Sequence, residues 1–113
     1  MMEVRKGTAM NNVRNLVDEM QLLALGSAED LDVSTVVKTP AAAPTGATHA
    51  WVSFKVATIH VGFSRDPVDG GAGLAMTAGT VKVWRAETVA KARFIRGAGS
   101  DGKVTIEWAA VQG

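Results

Sequence analysis

The run "GAGSDGKV", residues 97–104, is the stretch whose residue types and spacing come nearest to a known chemistry. Gly97, Gly102 and Lys103 satisfy all but the last position of G-x-x-x-x-G-K-[ST], the loop whose backbone amides cradle phosphates. That loop works by leading from a strand into a helix, whose first N–H groups face the anion, while a hydroxyl residue holds magnesium. Here Val104 stands at the hydroxyl position and "KVTIEW" continues with strand periodicity, so the run reads as a hairpin turn. In "RDPVDGG", Asp66 and Asp69 are possible calcium ligands. Calcium takes about six to eight oxygens, usually with several carboxylates, so the stretch reads instead as a turn opened by Asp-Pro and closed by Gly-Gly.

The remaining candidates for catalysis lack partners. His49 and His60 are the only histidines, and alternation sends both away from the expected core. Ser34, Ser53, Ser64 and Ser100 have no G-x-S-x-G setting. Glu29, Asp30 and Asp32 form an acidic trio read as solvated beside a turn. With no cysteine there is no disulfide framework, zinc–thiolate site or thiol nucleophile. No nucleophile, base and orienting group come together as a set, so the chain is read as non-enzymatic, without cofactor or metal.

The elements that would position any site are mostly strands. In "THAWVSF", Ala50, Val52 and Phe54 alternate with His49, Trp51 and Ser53. In "ATIHVGFS", Ile59, Val61 and Phe63 share a face, and in "KVTIEWA" Val104, Ile106 and Trp108 do the same. "TVKVWR" puts Val81 and Val83 together on the face expected to be apolar, and "ARFIR" is a shorter strand. A period of two marks half-buried strands. Glycine- and aspartate-rich separators between short strands argue for a small all-β domain, a β-sandwich or barrel. "KTPAAAPTGA", residues 38–47, reads as a long loop inside that domain.

The first third is less regular. Val13, Leu16, Val17 and Met20 follow helical spacing after a possible cap at Asn11 or Asn12, although "MQLLALG" suits a strand equally. The expectation is an N-terminal arm or short helix over residues 1–19, a strand near 20–25, and a sandwich domain over 20–113. Twelve basic residues stand against eleven acidic ones, for a formal charge of +1 and no basic tract, so composition gives no claim on nucleic acid. Neither a signal-peptide core nor a membrane-length apolar run is present, and a soluble, cytoplasmic product is expected.

The tryptophans divide. Trp108 shares a face with Val104 and Ile106 and is expected in the core. Trp51 and Trp84 alternate opposite to the apolar residues of their own strands, which leaves subunit contact, the far side of a core, or stacking on a ligand.

Residues 20–110 as a whole resemble small all-β structural proteins of tailed bacteriophages. The likeness is carried by "MQLLALGSAEDLDV", "PTGATHAWVSF", "IHVGFSRDPVDGGAGLAMTAGTVKVW" and "ARFIRGAGSDGKVTIEWA". The chain departs from that pattern where Pro67 follows Asp66 directly, and in its first 19 residues and its 38–47 loop. The resemblance implies a β-sandwich or jelly roll and a virion component assembled in the host cytoplasm, most simply a head decoration (cement) protein on the capsid surface. It implies a homo-oligomer, often a trimer, with the major capsid protein or other virion proteins as partners, and no nucleic acid or membrane. It carries over no catalytic residue. The candidate contact residues are Val13, Leu16, Val17 and Met20 of the arm, Trp51 and Trp84, and Arg65 and Asp66 of the 63–73 turn. The alternative is a carbohydrate-binding, or tail- or neck-associated, β-sandwich module, against which the low aromatic content of 5% counts.

Overall fold

The computed structural model describes residues 21–68, 71, 73–97 and 99–111. The arm residues Val13, Leu16, Val17 and Met20 lie outside the described residues, as does the helix or arm expected over residues 10–19. In chain order the elements are β1 (Leu22–Val33), β2 (His49–Lys55), β3 (Ile59–Phe63), β4 (Leu74–Met76), β5 (Val81–Arg85), α1 (Ala86–Lys91), β6 (Ala92–Arg96) and β7 (Gly102–Val111). They form two antiparallel sheets, one of four strands in the order β1-β7-β2-β5 and one of three in the order β4-β3-β6.

One core lies between the sheets. From the four-stranded sheet come Val52 and Phe54 of β2 and Val104, Ile106 and Trp108 of β7; from the other come Ile59, Val61 and Phe94. The alternation in β2 and β7 dictates this for the four-stranded sheet, because the buried residues of each fall mainly on one face. The rings of Phe54 and Phe94 meet edge to face with centroids 6.1 Å apart, joining one sheet to the other. Removing each of these large side chains from water contributes about 1.5–3 kcal/mol.

The edge strand β5 reverses the expected facing. Val81 and Val83 are 58% and 49% exposed, and Trp84 turns inward instead. Its ring stands edge to face with Phe54 at 6.1 Å and with Phe63 at 5.1 Å, closing the side of the core between β2 and β3. The reason is area. A period of two lets either Trp84 or the two valines face in, and one indole with aromatic partners on both sheets covers more open core than two small side chains at an edge.

Other expectations are corrected as well. β1 runs to Val33, well beyond residue 25, so Glu29, Asp30 and Asp32 sit in a strand rather than beside a turn. Asp30 accepts a hydrogen bond from the Thr105 hydroxyl at 2.7 Å, Asp32 lies 3.7 Å from the Lys103 ammonium, and the Glu29 carboxylate accepts the Ala41 N–H at 3.0 Å. The segment containing residues 97–101 is not a hairpin, because β6 and β7 belong to different sheets. Gly102 opens β7 where a Cβ would lie 2.9 Å from Cγ1 of Ile59, so this glycine allows close approach of the two sheets. The helix α1 and the short strand β4 are absent from the sequence reading. α1 carries the chain from β5 across to β6, buries Val89, and places Glu87 in its first turn and Lys91 in its last, the arrangement favoured by the helix dipole.

Candidate functional site

The outer face of the four-stranded sheet is built from cross-strand rows that the register fixes. One row runs Ala28, Glu107, Trp51, Val83; the next runs Asp30, Thr105, Ser53, Val81; a third runs Asp32, Lys103, Lys55. Toward the end where β1 begins, a further row holds Ala24, Ala109, His49 and Arg85. The face is therefore divided. Its β1–β7 half mixes alanines with two polar pairs, Asp30–Thr105 and Asp32–Lys103. Its β2–β5 half presents half-buried Trp51 beside exposed Val81 and Val83, at an edge strand with no neighbour among the described residues. Cross-strand neighbours on one face are the unit through which such side chains meet, so these three make one apolar corner.

The second feature is the segment following β3. A Cβ on Gly62 would run into the Arg65 carbonyl oxygen and come within 3.2 Å of Pro67 Cδ, so only glycine lets the chain fold back here. Ser64 takes a positive φ of 61° and its N–H donates to the Lys91 carbonyl at 2.9 Å. Pro67 is buried, and Ile95 beneath is only 5% exposed although it faces away from the main core. The segment thus seats Pro67 over the outer face of the three-stranded sheet and leaves Arg65 and Asp66 exposed. Nδ1 of His60 is buried on this face with no hydrogen-bond partner.

A cavity of about 420 Å³ opens beside this fold, with Phe63, Pro67 and Leu74 as apolar walls and Arg65 and Asp66 among its lining. Asp66 is held by Arg93 at 2.8 Å, an exposed pair worth little to stability. Arg65 makes no ion pair among the described residues. The volume would admit a small molecule, and the described residues lining it bring together no nucleophile with a base. Among the described residues, no three side chains of the metal-binding types gather as a cation site, and no helix is long and apolar enough to cross a membrane.

The sequence-derived candidates are thus separated. Trp51 and Trp84 face opposite sides of the same sheet, and Arg65 and Asp66 belong to the other sheet's loop. Trp84 is partly buried and packs against the core. The exposed corner residues that sequence reasoning missed are Val81 and Val83. Their signal was present in "VKVWR", where the single tryptophan lies out of phase with the valines. No family model, no curated protein and no solved structure matches the chain.

Proposed function

We propose that this protein is a non-enzymatic structural component of a bacteriophage virion, a decoration or cement protein that stabilises a head through subunit contacts. Its domain is read as a small β-sandwich of the jelly-roll kind. The observation that carries the reading is the apolar corner of Trp51, Val81 and Val83 at the open edge of the four-stranded sheet, taken with the resemblance of residues 20–110 to phage structural proteins. Apolar surface left on a small domain is stabilised when another surface covers it, at about 25 cal/mol for each Å² before ordering costs are subtracted. Copies joined as a homo-oligomer, with a trimer expected, present several such surfaces at once, and weak individual contacts then add through avidity. The first 19 residues supply a further contact element toward the capsid or a neighbouring copy.

The test is made on purified particles. The protein is expected in stoichiometric ratio to the major capsid protein by quantitative mass spectrometry, and particles depleted of it should lose contents at lower temperature. Particles that lack the protein altogether would remove the reading. Deleting residues 1–19 should lower occupancy; unchanged occupancy takes the arm out of the account.

A further inference from the structure

The corner formed by Trp51, Val81 and Val83 has an occupant that the chain itself can supply. We infer that it receives residues 13–20 of a second copy, laid along β5 with Val13, Leu16, Val17 and Met20 against the corner. The inference rests on the homo-oligomer part of the reading above.

Position is the first support. Twenty residues precede Gln21, and β1 enters the sheet where Leu22 pairs with Val111, at the same end of the sheet as His49 and Arg85. The chain's own corner lies across β7 and β2 toward β5, three strand spacings away or about 14 Å. Reaching it would need a reversal just before Leu22. No glycine or proline occurs between Gly7 and Gly26, so the sequence lacks the residues that reverse a chain most readily. A segment that continues outward from β1 instead meets the corner of a neighbour.

Size and charge agree. Helical spacing puts Val13 and Met20 about 10 Å apart on one stripe. The exposed edge from Val81 to Arg85 runs about 13 Å along its strand. Asp18 and Glu19 lie beside that stripe in sequence, while Arg85, on the same face of β5 as Val81 and Val83, is exposed and makes no ion pair among the described residues. The contact joins two different patches, so copies exchange arms in pairs or, where the rotation closes, form a ring.

The absence of cysteine from the chain makes the test clean. The full-length Val17→Cys, Val83→Cys double variant is oxidised mildly and run on a non-reducing gel. An interchain disulfide is expected, whereas an intrachain product or no disulfide overturns the inference. A second pair, Val17→Cys with Val68→Cys, uses an exposed position in the segment that follows β3 of the other sheet; cross-linking equal to the first pair also overturns it. Sizing provides an independent measurement. Val83→Glu alters an exposed position, and circular dichroism checks that its fold is kept. It should weaken self-association by about tenfold or more, because a carboxylate would be buried without a partner. Wild-type sizing of folded Val83→Glu refutes the contact. Neither measurement uses particles, so failure of the decoration reading appears separately, in particle composition.

Discussion

Val56 is the residue whose backbone is most at odds with its side chain. It holds a φ of 76° in the tight turn between β2 and β3, where the Ala57 N–H donates to the Lys55 carbonyl at 2.9 Å. A β-branched residue in the left-handed region is strained by roughly 1–3 kcal/mol. The side chain is 78% exposed, so it regains little by packing. Val56→Gly removes the strain and adds about 0.5–1 kcal/mol of unfolded-state entropy cost. A net gain of about 1 kcal/mol is therefore expected in urea unfolding, and a loss would show that the turn is not where strain is held. Gly62 predicts the opposite sign. The methyl of Gly62→Ala would collide with the Arg65 carbonyl, a backbone atom that cannot swing aside as a side-chain tip can. The expected cost is about 1–3 kcal/mol, with faster proteolysis in the 64–68 segment as that segment lifts from β3. Unchanged proteolysis and stability would mean that the close approach is relieved elsewhere at no cost.

At the scale of elements, the two tryptophans separate stability from association. Trp84 sits between Phe54 and Phe63, and Trp84→Ala should cost about 3–5 kcal/mol of unfolding free energy. Trp51 is half-buried on the outer face, so Trp51→Ala should cost about 1 kcal/mol and act chiefly on self-association, read by sizing. Equal stability losses in the two variants would contradict the opposite facings. The difference also marks where sequence was legible. β2, β3 and β7 could be read because apolar residues recur with a period of two through most of each strand. β5 was misread because an edge strand is not constrained on both sides, and its facing was decided by aromatic partners on β2 and β3 that lie far away in sequence. Chain continuity concealed the crossing from β6 to β7, since a glycine-rich connection looks alike whether it turns within a sheet or passes between sheets. α1 was missed because six residues are too few to display a helical period. The polar rows of β1 were hidden for a related reason: a bulge between Ala24 and Ala28 breaks the alternation that would have announced a long strand. Among the candidate contact residues, Trp51 was legible from its phase against Val52 and Phe54, whereas Val81 and Val83 became candidates only once Trp84 was seen to have taken the core.

At the scale of the whole molecule, the balance of charge predicts how its contacts respond to solution conditions. The formal charge of +1 gives copies no strong net repulsion to overcome and no strong attraction to an acidic surface. The ion pairs on the surface are exposed, as with Arg93–Asp66, whose side chains are 40% and 64% accessible, and salt screens such pairs readily. The exposed apolar area, including the corner of β2 and β5, contributes a term that ordinary salt barely touches and that excluded salts such as sulfate strengthen. Self-association of the purified protein should therefore change by no more than about threefold between roughly 50 and 300 mM sodium chloride. It should tighten when ammonium sulfate replaces chloride at equal ionic strength. Contacts made through charge would behave otherwise, weakening by orders of magnitude over a similar range when several pairs act together. Analytical ultracentrifugation across the two salt series distinguishes the cases. A steep loss with chloride would move the contact away from Trp51, Val81 and Val83 and toward the charged residues, with Arg65, Lys82 and Arg85 the first to replace.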